Sequence, residues 1–520
     1  MLVLHAHLPF VKHPEYEYFL EEHWLYEAIC ETYIPLFMRL KQLEDEGIRA
    51  KITFSATPPL CEMLADPMLC DRFRTYLHRM LELSAKEIDR TRNDKVFNDL
   101  ACFYHERFLK IKDWYNGFLQ GNVLNGFRYF RARGTMEVIT CGATHGFLPL
   151  LSANDKAVNA QIATAVKNYN KHFGQQPDGI WLPECAYYEG LDTILRKHGL
   201  RYFFMDTHSV LLSRPRPVYG VFAPVFTECG MAAFGRDYES SKQVWSSKEG
   251  YPGDYYYRDF YRDIGYDLDF DYIKPYISPD GIRVFTGIKY HRITGETDYK
   301  EVYQPAKAWE KTSEHAAHFV RERMEQADRA ARLMDKPPVL VSPYDAELYG
   351  HWWFEGPDFL YHVFRHMDQH EQIAPITPTE YLEEFPTHQV VAPNPSSWGD
   401  KGYFEVWLNS GNEWIYRHLH QMAGIMCERA EQYRNTSDET TISLLNQMVR
   451  ELFLAQSSDW AFLMTAQTAL EYAIQRTKEH IYNFIRLNQM LTTGDIDGEY
   501  LNRIMQKNSL FQEIDFRIYQ

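Results

Sequence analysis

Two carboxylates in this 520-residue chain stand where glycoside chemistry would need them. Glu184, in WLPECAY (181–187), and Asp345, in SPYDAELYGHWW (342–353), each follow a short apolar run that reads as a strand. A glycosidic bond is cleaved by such a pair, one group protonating the leaving oxygen and the other attacking or stabilising C1. His5 and His7 alternate at the end of the first apolar run, in HAHLPF (5–10), so both point to one side of a strand. With His145 of CGATHGFLPLL (141–151) they would hydrogen-bond sugar hydroxyls. Tyr187, Tyr349, Trp352 and Trp353 would offer stacking faces. Each has an ordinary reading too: a Glu after Pro is commonly a solvated loop residue or helix cap, and a His pair can simply pack. Their joint occurrence at strand ends favours the chemical reading.

These residues must be carried by a scaffold, and the hydrophobic pattern describes one. Apolar runs at 2–4, 52–55, 138–140, 179–182, 201–205 and 339–341 alternate with helical periodicity, which implies parallel βαβ units. Polar residues gathered just after each strand match the catalytic rim of a β/α barrel, with a strand count near seven. Residues 62–130 read as a helical insertion. Residues 235–280 are rich in Tyr, Gly and Asp, and are expected to be a substrate-facing loop too polar for the core. Beyond about 395 only helical spacing remains, as in LLNQMVRELFLAQ. The expected division is a catalytic domain over 1–395 and a helical C-terminal domain over 396–520.

The net charge of −16 and the lack of any Lys/Arg block argue against nucleic acid as a partner, since a polyanion requires a basic footprint. A neutral polymer makes no such demand. Aromatic residues reach 15 %, a share that core packing and stacking on sugar rings could divide between them. The eight cysteines are scattered with no C-x-x-C pair, as in a reducing compartment. No signal peptide or membrane span is legible, so the expectation is a cytoplasmic protein with no membrane partner. The chain opens on a strand, which leaves room for a few residues upstream.

HAHLPF, the GATHGFLP segment, WLPECAY and DAELYGHWWFEGP, in this order, resemble the motifs of glycoside hydrolase family 57, and in particular its 1,4-α-glucan branching subgroup. Cys185 and the tryptophans of GYFEVWLNSGNEW (402–414) strengthen the likeness to that subgroup. The resemblance implies an incomplete (β/α)7 barrel with a helical insertion and an all-helical C-terminal domain. It implies a retaining transglycosylase acting on α-glucan, with Glu184 as nucleophile and Asp345 as general acid/base. His5, His7, His145, Trp352, Trp353, Trp407, Trp414, Asp459 and Trp460 would then bind substrate, the last two from SSDWAFLM (457–464). Tyr238, in FGRDYESSKQVW (234–245), would match a mobile-loop tyrosine that governs transfer. No cofactor and no metal are implied. Hydrolytic α-amylase or 4-α-glucanotransferase activity is the alternative within the family. From another class, a metal-dependent amidohydrolase or deacetylase could use His5, His7, His145 and Asp345 as ligands on a similar barrel.

Overall fold

In a computed structural model of the chain, residues 1–245 and 249–520 are described. Among the described residues eight strands form: β1 (Leu2–Ala6), β2 (Ile52–Ala56), β3 (Met136–Ile139), β4 (Gly179–Ile180), β5 (Tyr202–Met205), β6 (Val225–Phe226), β7 (Ala232–Gly235) and β8 (Ser342–Asp345). One sheet runs β3-β2-β1-β8 and the other β4-β5-β7-β6. Two bonds join them, Thr140 N–H to Gly179 O (3.3 Å) and Trp181 N–H to Thr140 O (2.9 Å). On the far side, Asp237 N–H reaches Val341 O at 2.8 Å. Seven parallel strands therefore follow one another as β1-β2-β3-β4-β5-β7-β8 around an incompletely laddered barrel, with β6 antiparallel outside β7.

The strands are apolar on both faces because helices cover the outside and the interior is packed. Leu2, Leu4, Phe54, Val138 and Phe203 join the outer core beneath the helices. Val3, Ile139, Trp181, Tyr202, Phe204, Phe234 and Val341 fill the inside. Since side chains alternate along a strand, His5 continues the inward row begun by Val3, and Asp345 the row begun by Val341. Both therefore end above the packed interior, and the parallel register sets His5 opposite Asp345 on one side and Ser55 on the other.

Two strand readings change. The last strand is Ser342–Asp345 itself, not the apolar run before it, so Asp345 is its final residue. Pro343 is tolerated because Ser342 N–H already bonds β1 through Met1 O, and the nitrogen of the next residue faces the poorly laddered gap to β7. The seventh strand, Ala232–Gly235, lies in a small-residue stretch that carries little strand signal.

The 62–130 segment is helical throughout its regular elements, with Pro67–Thr91 and Lys95–Asn116 forming a hairpin. Their N-termini are capped by Asp66 and Asp94, which accept backbone N–H bonds. The 235–280 stretch departs from expectation. It begins with a helix, Tyr238–Trp245, and Tyr257, Arg258, Asp263 and Tyr276 are buried. Ser246, Ser247 and Lys248 of this stretch lie outside the described residues. Its buried polar groups find partners, several of them outside the stretch: Asp263 accepts from Gly265 N, Thr286 N, Thr286 Oγ1 and Gly287 N, and Arg258 pairs with Glu31. Polar composition signals exposure only where partners are missing.

Residues 390–396 stay laced to the barrel through bridges Phe226 to Val390, Arg214 to Ala392 and Tyr187 to Ser396. The helical region begins at Trp414 and contains Trp414–Gln432, Glu439–Ala455, Ser458–Ala466, Leu470–Thr493 and Gly498–Lys507. Among the described residues, no helix is long and apolar enough to cross a membrane.

Candidate active site

Glu184 sits in the turn after β4 with φ of 62°, followed by Cys185 at 50°; His145, in the turn after β3, has φ of 56°. Left-handed backbone costs a non-glycine residue about 1–2 kcal/mol, so three such residues at one rim mark a tightly determined site. Hydrogen bonds hold the Glu184 turn: Cys185 N–H to Leu182 O (2.8 Å), Ala186 N–H to Pro183 O (3.1 Å) and Trp398 N–H to Glu184 O (2.9 Å).

Both oxygens of the Glu184 carboxylate are met by donors. Trp398 Nε1–H reaches Oε2 at 2.7 Å, and Ser458 Oγ–H reaches Oε1 at 3.1 Å. Ser458 also lies 2.8 Å from His145 Nδ1. His145 Nε2 is 3.0 Å from His5 Nε2, and His5 Nδ1 is 3.2 Å from Ser55 Oγ. His7 stacks on His145 with ring centroids 3.9 Å apart and a 13° interplanar angle. Its Nδ1 faces Thr57 Oγ1 (3.1 Å), and its Nε2–H reaches both oxygens of Asp459 (3.0 and 2.9 Å). Trp181, inside the barrel, floors the cluster by stacking on His5 at 4.9 Å.

Ser458 and Asp459 come from the C-terminal helical region, so the site spans both parts of the chain. Ser458 N–H bonds His145 O at 3.0 Å, and Gln161 Nε2–H bonds Gln456 Oε1 at 2.9 Å. These contacts clamp the start of helix Ser458–Ala466 against the turn after β3.

The electrostatics separate the two carboxyls. Burial raises Glu184 to about 7, against the pull of the Trp398 and Ser458 bonds and of His7. Asp345 is pushed well above its ordinary value by burial and by the neighbouring Glu347 and Glu184, with Arg236 opposing. No hydrogen bond to the Asp345 carboxyl occurs among the described residues. Glu347 is a third buried carboxyl, raised to about 7 by desolvation and bonded by Tyr33. Burial drives His5 and His145 well below their ordinary values, so both are neutral imidazoles. His7, which burial alone would also lower, is instead raised by Asp459, and Asp459 falls to about 2 beside it despite its own burial. The rim thus holds one imidazolium–carboxylate pair, one carboxylate with two donors and one unbonded carboxyl biased toward its acid form.

The aromatic candidates divide. Trp352 is 56 % exposed and stacks on Phe260 (4.7 Å, 22°). It is set at the rim by Trp352 N–H to Glu347 O (3.2 Å) and by Gly350, where a Cβ would overlap the Glu31 carbonyl. Trp353, Trp407 and Trp460 are at most 2 % exposed and pack among other side chains. Trp353 packs on Phe359 and Tyr257, Trp407 on Phe147, and Trp460 donates its indole N–H to Leu454 O. Tyr187 and Tyr349 are buried as well, Tyr187 O–H bonding Asp192. Trp414 is half-buried at the start of its helix. Tyr238 is 65 % exposed at the start of helix Tyr238–Trp245, whose last residue meets Trp398 edge-on at 6.4 Å.

Sequence reasoning missed Trp398, Ser458, Ser55 and Glu347. Ser458 and Glu347 adjoin residues already singled out, in SSDW and DAE, whereas Trp398 lies in PSSWGD, which carries no motif signal.

Among the described residues, two sets are compact enough to ask about a metal, His5–Cys141–His145 and His7–His145–Asp459. The donors do not suit one. The rings of His7 and His145 lie face to face, so their in-plane lone pairs run side by side rather than converging. His7 Nε2 is occupied by Asp459, and burial holds the Cys141 thiol far from ionising.

A β/α barrel with two carboxyls at its strand ends is a scaffold able to carry glycoside-bond chemistry. The model of glycosyl hydrolase family 57 matches residues 1–393, and that of the 1,4-alpha-glucan branching enzyme C-terminal region matches residues 418–519. The chain belongs to glycosyl hydrolase family 57. It is 34 % identical to a 1,4-alpha-glucan branching enzyme of Thermococcus kodakarensis, over 98 % of this chain and 77 % of that one. Among solved structures, the alpha-amylase AmyC of Thermotoga maritima matches with a TM-score of 0.94 and 45 % identity, over 100 % of this chain and 98 % of that one. A GH57-type branching enzyme of Pyrococcus horikoshii matches with a TM-score of 0.89 and 34 % identity, over 100 % and 96 %.

Proposed function

We propose that this protein is a retaining α-glucan branching transglycosylase. It cleaves an α-1,4 bond and transfers the released chain to a 6-hydroxyl, with Glu184 as nucleophile and Asp345 as general acid/base. The observation that carries the assignment is the asymmetry of the two carboxyls. Glu184 has a donor on each oxygen and the His7 charge nearby, which favours its anion. Asp345 has no donor on its carboxyl, and burial and two neighbouring carboxyls outweigh the Arg236 charge and favour its acid form.

In the first step Asp345 gives its proton to the leaving glycosidic oxygen while Glu184 attacks C1, forming a glycosyl ester. With the Glu184 charge spent in that ester, one of the charges that raise Asp345 is removed. Asp345 becomes a base that takes the proton of the incoming hydroxyl as it attacks C1. His7 and Asp459, partly exposed, would face the donor sugar, with the buried His5 and His145 behind them, and Trp352 offers an open face at the rim. Water is the competing acceptor, and Tyr238, on the exposed helix beside the site, would help exclude it. Eight free cysteines support a reducing, cytoplasmic setting.

A hydrolytic reading has one observation in its favour, the 45 % identity to a protein named as an alpha-amylase. The match of residues 418–519 to a branching-enzyme region favours transfer. Incubation with amylose, with α-1,6 linkages counted by proton NMR against reducing ends released, tests this. Branches in excess of reducing ends support transfer, and reducing ends without branches establish hydrolysis. Glu184→Gln and Asp345→Asn should each fold and lose at least about 10²–10⁴-fold in rate. A Glu184→Gln enzyme retaining a tenth of the activity refutes the nucleophile.

A further inference from the structure

The hydroxyl of Ser458 carries one proton but has two partners, Glu184 Oε1 at 3.1 Å and His145 Nδ1 at 2.8 Å. A carboxylate can only accept, so whenever Glu184 is ionised Ser458 must donate to it and accept from His145. That choice settles every proton behind it. His145 carries its proton on Nδ1 and leaves Nε2 bare. His5 then donates through Nε2–H across 3.0 Å. Its Nδ1, now bare, accepts the Ser55 hydroxyl at 3.2 Å.

We propose that Ser55, His5, His145 and Ser458 form a hydrogen-bond chain of single polarity directed at Glu184, with Ser458 as the positioning residue that holds the nucleophile ionised. This rests on the nucleophile assignment above and adds how that anion is maintained in a buried site. Each donor in the chain is itself an acceptor, so the bonds polarise one another toward the carboxylate. The chain also crosses the molecule. Ser55 and His5 belong to β2 and β1, His145 to the turn after β3, and Ser458 to the C-terminal helical region. Docking of that region thereby becomes a condition of nucleophile activation, a role distinct from contacting substrate. The neutral state that burial imposes on both imidazoles agrees with the proton order, because a doubly protonated ring would reverse one bond.

The other titratable groups facing Glu184 are His7, Asp459 and Asp345, with the Cys141 and Cys185 thiols at its flanks. None of them is removed by changing Ser458 or Ser55. The acid limb of the kcat/KM profile reports ionisation of the free enzyme's nucleophile. Losing a donor to the anion raises the proton affinity of Glu184, so the limb moves to higher pH. Ser458→Ala should raise it by about one to two pH units and lower kcat/KM at neutral pH about 10- to 100-fold. Ser458→Thr, which keeps the hydroxyl, should restore the limb. Ser55→Ala, which does not touch Glu184, should move the same limb upward by a smaller amount, about 0.3 pH unit or more.

A limb unmoved in Ser458→Ala overturns the proposal, and so does a limb unmoved in Ser55→Ala. Should Ser458→Ala fail to fold, Ser55→Ala and Ser458→Thr decide alone. Failure of the underlying assignment would look different: Glu184→Gln would remain active whatever the serine variants did.

Discussion

Holding Glu184 in its buried setting should weaken the fold at the pH where the enzyme works, and Glu184→Gln should relieve that cost. An acid whose proton affinity is higher when folded binds more protons in the native state than in the unfolded one. Stability then falls as pH rises from the unfolded value toward the folded one. For Glu184 that window runs from 4.5 to about 7. At about 1.4 kcal/mol per tenfold change in proton affinity, the stability lost across it is about 3 kcal/mol. Glutamine does not titrate, keeps the shape, and can accept from Trp398, although its amide must replace the bond from Ser458. Allowing for that, the variant should exceed the wild type by about 1–3 kcal/mol at pH 8 and by little or nothing at pH 4.5. The assay is urea unfolding of both proteins at the two pH values, comparing midpoints at equal slopes. Stability differences that are the same at both pH values would refute the argument, because a packing effect of the amide does not depend on pH.

Three further outcomes follow from the geometry. Asp459→Asn removes the partner that holds the His7 charge, and its carboxylate, lowered to about 2, contributes stability that is present above pH 3.8 and lost as pH falls through 2. The variant should therefore be destabilised at pH 7 by about 2 kcal/mol and converge on the wild type in strong acid, as read by unfolding midpoints. Trp352→Ala should raise KM with little change in melting temperature, whereas Trp353→Ala should cost about 3–5 kcal/mol of stability; steady-state kinetics and calorimetry on both variants separate the open ring from the packed one. Tyr238→Ala should lower the ratio of α-1,6 linkages formed to reducing ends released on amylose, and an unchanged ratio would remove the helix Tyr238–Trp245 from any part in transfer.

Much of the architecture was legible because parallel strands buried on both faces leave continuous apolar runs, and their ends carry the chemistry. Glu184, Asp345, His5, His7 and His145 stand out in the sequence this way, since each lies within five residues of the end of a run. Asp459 and the helical C-terminal region were legible through a motif and a change of period. What tertiary structure alone decided was pairing and access. Nothing local distinguishes Trp352 from Trp353: neighbours in sequence, they fall on opposite sides of one turn, with one ring in solvent and the other in the core. The buried polar groups of 249–280 read as a loop because their partners, such as Glu31 for Arg258, lie far away in sequence. The same holds for Ser458 and Trp398, which meet Glu184 across 274 and 214 residues. A hydrogen bond is a property of two atoms in space, and sequence patterns record only the neighbours along the chain.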